Sequence, residues 1–420
     1  MARITSEAAS AGLMGDTQVA GLEALLSIST PVQGAPAPVE LPRLSKSATD
    51  WAEKHLAAMP QWKSAHHESR PTRTVAFIPA HNEETSIAAT VASIRAQDRQ
   101  LDRILAVCDN CADSTQREAR AAGAETYVTV DNHEMKAGAL NQALALVMPG
   151  LADDDLVLCV DADSIIGENF VSEAIKQFAR NPKLGGVSGT YLGKPGGGFA
   201  GWCQRNEFAR WGFDNRMEHG RTVILSGAAS MFRVAALRRV QEARASGQLP
   251  GSNIYSAASI TEDFELSLAL LHTGSTIKNM LNVQIMTSVK PSWRELYIQR
   301  LRWDRGINEG LFQYGITRHT RLVWFRRVMY AVFVPASFLC LGMIMYRLVA
   351  GNILATNLFW ITITAVMMTQ KAATVLRSRG WLNAAGAFVI FPELPYDTFL
   401  QLTFVRSLWD QITHHSKKWR

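Results

Sequence analysis

The sequence predicts an α/β domain with a mostly parallel sheet, followed by helices that meet a membrane. Three observations carry this reading. Short apolar runs alternate with helical periods from Arg73 to Val160. Acidic residues fall at the ends of several of those runs. Two long uncharged runs follow an arginine-rich stretch in the C-terminal third.

Residues 1–70 come first and form a segment of their own. Up to about residue 45 they are rich in Ala, Ser, Pro and Gly, a composition that buries too little apolar surface to order itself. Asp50 to His66 is expected to form one short amphipathic helix within this partly disordered segment. The polar start Met1–Glu7 is followed by no apolar core, so no signal peptide is expected.

Residues 71–290 are expected to form the α/β domain. Thr74–Pro79 reads as a strand, and Ile87, Val91 and Ile94 then share one helical face. Arg103–Asp109 is a second strand with a helical stretch to Ala122 behind it. Thr126–Val130 is a third strand, Gly138–Leu146 a helix, and Leu156–Val160 a fourth strand. Strand and helix alternating at this spacing imply helices on both faces of the sheet.

Ligands bind such sheets beyond the carboxyl ends of the strands. Those ends carry Pro79-Ala80-His81-Asn82-Glu83, Asp109 and Asp161-Ala162-Asp163. Neither GxGxxG nor GxxxxGK[ST] occurs, so a dinucleotide or P-loop site has no support. The run Gly193–Gly198 reads as a surface loop. Asp-x-Asp at a strand end offers hard oxygen ligands to Mg2+ or Mn2+, although alone it reads equally well as an acidic turn. Thr261-Glu262-Asp263 alone reads as an acidic helix start. The five cysteines form no framework, and Cys108 and Cys111 read as a strand-end and a loop cysteine.

The net charge of +6 is concentrated in residues 291–327, expected to be basic interfacial helices. From Trp293 to Arg327 there are eight arginines against Glu295, Asp304 and Glu309. Lying directly before an apolar run, this cluster points to anionic lipid headgroups rather than nucleic acid. Val328–Tyr346 and Gly351–Gln370 carry no formal charge and are each long enough to span a bilayer, so residues 328–380 are expected to form a transmembrane hairpin. The flanking basic residues would put the hairpin ends, and the α/β domain, on the cytoplasmic side of a plasma or inner membrane. In residues 381–420, Pro392-Glu393-Leu394-Pro395 interrupts the apolar pattern and a basic tail follows, which favours re-entrant or interfacial helices.

In order along the chain stand Pro79–Glu83, Asp109, His133–Gly138, Asp161-x-Asp163, Ser226-Gly227-Ala228, Thr261-Glu262-Asp263 and Gln299-Arg300-Leu301-Arg302-Trp303. Together they resemble glycosyltransferase family 2, in particular its membrane-bound polysaccharide synthases, over roughly Thr74 to Trp303. The resemblance implies a GT-A (Rossmann-like) fold and a UDP-sugar donor bound with Mg2+ or Mn2+. It implies that Ala80, Glu83 and Asp109 line the nucleoside pocket, that Lys136 lies near the nucleotide, and that Asp161 meets the ribose region. Asp163 would hold the metal and Asp263 would be the general base. Glu262, Gln299, Arg302 and Trp303 would serve the diphosphate and acceptor, with Trp303 a platform for the acceptor sugar.

The expected function is therefore an inverting hexosyltransferase that extends a β-linked polysaccharide at a membrane. The alternative is single-step transfer to a lipid carrier, glycolipid or protein, and the third reading is a non-catalytic sugar-nucleotide sensor. Two spans are few for enclosing a channel, so export by this chain would call for a membrane partner or self-association.

Overall fold

The structure, a computed structural model, describes residues 71–350 and 358–413. The expectations for residues 1–70, for the start of the second uncharged run and for the basic tail after residue 413 lie outside the described residues.

The chain opens with β1 (Thr74–Ala80), α1 (Ile87–Arg95), β2 (Arg103–Cys108), α2 (Thr115–Ala121), β3 (Glu125–Val128), α3 (Met135–Val147) and β4 (Leu156–Val160). β1 and β4 are apolar along almost their whole length because helices cover both faces of a parallel sheet. β1 pairs in parallel with β2 and with β4, and β2 pairs in parallel with β3. Ile87, Val91 and Ile94 of α1 are fully buried against β1, as their spacing predicts.

After β4 come β5 (Ile165–Ile166), α4 (Phe170–Arg180), β6 (Leu184–Gly193), α5 (Gly198–Met217), β7 (Ala229–Arg233), α6 (Val234–Ala245), α7 (Glu262–His272) and β8 (Thr276–Thr287). The eight strands form one sheet in the order β3-β2-β1-β4-β7-β6-β8-β5. It is parallel through β3-β2-β1-β4, while β7 and β5 run against their neighbours. An apolar run predicts a strand but not its direction, which is why the antiparallel pairings were not legible.

Four further helices follow: α8 (Trp293–Tyr314), α9 (Arg321–Val349), α10 (Leu358–Arg379) and α11 (Trp381–Phe388), with α12 (Ile390–Ile412) closing the described chain. Ser292 starts α8 by accepting the Glu295 N–H at 3.2 Å while its hydroxyl donates to the Glu295 carboxylate at 3.0 Å, a reciprocal cap. Among the described residues one helix is long and apolar enough to cross a membrane. Its window is Arg321–Leu339 in α9, with a mean hydropathy of 1.4 and only 6% of it buried. The pattern break expected at Pro392 falls instead at Val389. Pro392 sits in the first turn of α12, where a helix has no use for its N–H.

One buried ionic tie joins three of these helices. Arg244 at the end of α6 pairs with Glu265 of α7 at 2.7 Å, both side chains wholly buried. The Tyr314 hydroxyl at the end of α8 donates to the same carboxylate at 2.6 Å. Breaking such a pair strands a charge away from water. We expect Glu265→Ala to lower unfolding stability by about 3–5 kcal/mol, read by chemical denaturation; a loss near zero would show that the tie is not structural.

Candidate active site

The sheet order reverses between β1 and β4: the chain moves outward through β2 and β3, then returns to the other side of β1. A crevice opens at such a reversal beyond the strand ends. Asp161 and Asp163 follow β4 directly. Because β7 is antiparallel, its first residue Ala229 pairs with Val160, which carries Ser226-Gly227-Ala228 to the same edge. The Asp161 N–H donates to the Ala228 carbonyl at 3.0 Å and locks the two segments together. Lys136, in the first turn of α3, and Glu262 and Asp263, in the first turn of α7, complete the edge.

These side chains form one charge cluster. The Lys136 ammonium lies 2.6 Å from Asp161 and 3.1 Å from Glu262. It also donates to the Gly227 carbonyl at 3.4 Å. The Gly227 N–H donates to Asp263 Oδ2 at 3.0 Å, and the Phe264 N–H donates to Oδ1 at 2.8 Å. Gly227 must be glycine for this approach, since a Cβ there would stand 2.9 Å from the Asp263 carboxylate. A small cavity opens onto Lys136, Glu262 and Asp263, with Tyr255 and Cys159 in its wall.

Each group responds to its surroundings. Burial works against the Lys136 ammonium, but the Asp161 and Glu262 carboxylates outweigh it and hold its pKa well above the ordinary lysine value. Burial also works to raise Glu262, yet Lys136, its own backbone N–H and Arg302 keep it below the usual range. Burial raises Asp161 despite its lysine partner. Asp263 is pushed up to about 6, by burial first and then by the neighbouring Glu262 charge.

The expected nucleoside residues lie at the ends of β1 and β2. Asp109 is buried, and its Oδ1 accepts from Thr129 and Asn132, each at 2.7 Å, and from Asn110 at 3.2 Å. The His81 Nδ1–H donates to the Asp109 carbonyl at 2.7 Å. Ala80 is buried, and its carbonyl accepts the Asp109 N–H at 2.8 Å. The Glu83 N–H donates to the Thr115 hydroxyl, and its carboxylate accepts from Ser86. The two loops after β1 and β2 are thus clasped to each other.

Among the described residues no three His, Cys, Asp or Glu side chains form a metal cage. Asp163 still fits a divalent ion of the kind that takes one protein carboxylate and completes its shell with phosphate oxygens and water. Among the described residues its half-exposed carboxylate accepts only a 3.3 Å bond, from the Ser164 hydroxyl. Asp161 is less suited to a metal, because Lys136 already neutralises it.

In the pentad, Gln299 and Trp303 are half-buried and Arg302 is exposed, its charge felt at Glu262. The buried arginine is Arg300, whose guanidinium lies 4.3 Å from the Trp303 ring centre. Trp303 belongs to an aromatic cluster with Trp211, which in turn meets Tyr191 of β6. Burial first, and then the nearby Asp263 and Asp161 charges, raise the Tyr191 phenol pKa, so that cluster reaches the charged edge. Sequence reasoning missed Tyr191, Tyr255 and Lys194. The Lys194 ammonium donates to the Asp163 carbonyl at 2.7 Å, from the start of the glycine-rich run read as a surface loop. None of the three carries a periodic or motif signal.

Comparison with known proteins gives three findings. The sequence model of the family described as glycosyl transferase family group 2 matches residues 156–369. Poly-beta-1,6-N-acetyl-D-glucosamine synthase from Staphylococcus aureus is 26% identical over 243 residues, which cover 56% of this chain and 55% of the relative. The Staphylococcus epidermidis synthase of that name is 26% identical over 253 residues, 59% and 57% of the two chains. The chain thus spans about half the length of the curated relatives it matches. Among solved structures it is similar to the mannosyltransferase PcManGT from Pyrobaculum calidifontis, in complex with GDP-Man and Mn2+. That likeness has a TM-score of 0.49 and 16% identity, covering 87% of this chain and 94% of that one.

The raised Asp263 carboxyl has a consequence for stability. Its pKa rises from 3.8 to about 6 in the folded chain, so between those values the native state binds more protons than the unfolded one. Stability attributable to this group falls as pH rises through that window. Asp263→Asn removes the charge and keeps a hydrogen-bond acceptor. We expect its Tm to exceed that of the unmutated chain by a few degrees at about pH 7.5, with the gap closing by about pH 4. Thermal unfolding across pH checks this, and an equal or lower Tm at the higher pH would refute it.

Proposed function

Because the chain belongs to glycosyl transferase family group 2, we propose that it is an inverting transferase that moves a sugar from a UDP-sugar to a growing β-linked polysaccharide at a membrane. The observation that carries the reading is the pairing of a proton-hungry carboxylate, Asp263, with the Lys136–Asp161–Glu262 cluster on one sheet edge. The synthase names of the relatives favour N-acetylglucosamine as the sugar. The α/β fold is read as GT-A, and the exposed apolar surface of α9 as the membrane attachment. The catalytic domain would face the cytoplasm, with the exposed Arg318 and Arg321 at the start of α9 beside the lipid headgroups.

Inversion is a single in-line displacement at the anomeric carbon. An acceptor hydroxyl attacks, its proton passes to a carboxylate, and the nucleoside diphosphate leaves on the opposite side. Asp263 is the carboxylate suited to that proton, because a pKa near neutrality combines an ionised form with real proton affinity. Such help is worth about 10²–10⁴-fold in rate. A divalent ion on Asp163 would neutralise charge on the diphosphate. Lys136 and Arg302 bring further positive charge to that side. Ala80, Glu83 and Asp109 would hold the nucleoside, and Gln299 and Trp303 the acceptor end.

Four measurements test the reading. In a screen of UDP-sugars, UDP release should be fastest with UDP-N-acetylglucosamine, and the sized product should be a polymer. Strictly single additions would redirect the proposal to a lipid carrier, glycolipid or protein acceptor. Asp263→Asn should lose about 10²–10⁴-fold in turnover while UDP affinity holds. The kcat/KM of the unmutated enzyme should fall tenfold per pH unit below about 6, since the base must be ionised. A sensor without catalysis would show neither effect. Asp163→Ala should weaken UDP binding only when Mg2+ or Mn2+ is present; an unchanged metal requirement counts against Asp163 as ligand.

A further inference from the structure

We propose that Glu207, Arg300 and Tyr396 form a buried positioning network that sets the place of Trp303, so that the C-terminal helix α12 governs the acceptor end of the site. The inference rests on the reading of Trp303 as the acceptor platform and adds what holds that platform.

Three helices contribute one side chain each. Arg300 of α8 donates through Nη2 to Glu207 of α5 at 2.5 Å and to the Tyr396 hydroxyl of α12 at 3.4 Å. The Tyr396 hydroxyl donates to the same Glu207 oxygen at 2.6 Å. Arg300 is 4% exposed and Tyr396 is fully buried, so water does not compete for these bonds. The guanidinium plane then lies against two indoles, 4.3 Å from the Trp303 ring centre and 5.5 Å from that of Trp211. Its Nε and Nη1 have no hydrogen-bond partner among the described residues. The plane is therefore fixed by Glu207 and Tyr396 at one corner and by the two rings on its face.

The spacing makes the coupling rigid. Trp303 follows Arg300 by three residues and Trp211 follows Glu207 by four, so each indole sits one turn from the ion pair on its own helix. One turn before Tyr396, Glu393 pairs with Arg210 at 3.0 Å and Lys371 at 3.4 Å and accepts from Asn206 at 2.9 Å. Sliding α12 along α5 would break that second buried cluster as well. A buried ion pair is a poor source of stability compared with apolar packing. What it adds here is direction: the bonds fix the guanidinium, and the guanidinium fixes the indole. Moving the platform would let water replace the acceptor at the anomeric carbon.

The test compares sugar transfer with hydrolysis of the donor. Full-length enzyme would receive UDP-N-acetylglucosamine with a short N-acetylglucosamine oligosaccharide, and both UDP release and elongated product would be measured. Tyr396→Phe keeps the ring and removes one hydroxyl. Arg300→Lys keeps the charge for Glu207 and loses the plane that stacks on Trp303. Each should lower the ratio of transfer to hydrolysis about tenfold with UDP affinity unchanged, as should Trp303→Ala. If Trp303→Ala changes the ratio and both network variants leave it alone, or lower transfer and hydrolysis in parallel, the network is structural only and the inference falls. If Trp303→Ala leaves the ratio unchanged, the platform reading falls and takes this one with it. No UDP release by the unmutated chain would overturn the transferase reading itself.

Discussion

The Lys136 ammonium is the constraint on which the rest of the site depends. Asp161, Glu262 and Asp263 come to one sheet edge from two different elements, and three carboxylates in a partly dehydrated crevice repel one another. Two like charges 4 Å apart cost about 4 kcal/mol at an effective dielectric of 20, against about 1 kcal/mol in bulk water. A single cation in contact with Asp161 and Glu262 offsets that repulsion. It also ties α3 to α7 across the end of β4.

The turn that presents Lys136 is itself built to do so. Asn132 accepts the Glu134 N–H, donates to the Met135 carbonyl at 2.8 Å and donates to the Asp109 carboxylate at 2.7 Å. One amide thus fixes both the start of α3 and the acidic residue at the end of β2. Gly138 must be small for the same reason, since a Cβ would stand 2.0 Å from Asn132 Oδ1. On the opposite side Gly306 of α8 lets that helix approach the start of α7, where its Cβ would stand 2.2 Å from the Thr261 hydroxyl. The charged edge is therefore held between two close backbone approaches.

Much of this was legible in the sequence, and the exceptions have physical causes. β1 to β4 announce themselves because a strand covered on both faces must be apolar throughout. β6, Leu-Gly-Gly-Val-Ser-Gly-Thr-Tyr-Leu-Gly, is glycine-rich and gives a weak strand signal, and β7 does not reveal its direction. Lys136, Asp161, Glu262 and Asp263 were each marked by motif, but only the fold shows that they share one ion network. Arg300 and Arg302 look alike in sequence. Their helical phase separates them: Leu296, Arg300 and Trp303 lie at i, i+4 and i+7 of α8, with Leu296 and Arg300 buried, while Arg302 points out. Tyr191 and Tyr255 had no such clue, because their value lies wholly in partners far along the chain.

Glu262 and Asp263 are adjacent, equally acidic by nature, and placed at the same helix start, yet the fold drives them apart. Glu262 is bound to Lys136 and feels Arg302, so its charge is stabilised and its proton affinity low. Among the described residues no cation touches Asp263; it accepts two backbone N–H groups, loses water, and sits beside the Glu262 charge. Pairs of titratable groups separated in this way divide the labour of a site. A carboxylate kept ionised by a lysine is a poor proton acceptor and a good anchor for a cation. A carboxylate lifted toward neutrality by the first is the better base, and the charge on Glu262 is part of what lifts it. Removing Glu262 would therefore do more than take away a contact: it would loosen Lys136 and let Asp263 relax toward an ordinary acid at the same time.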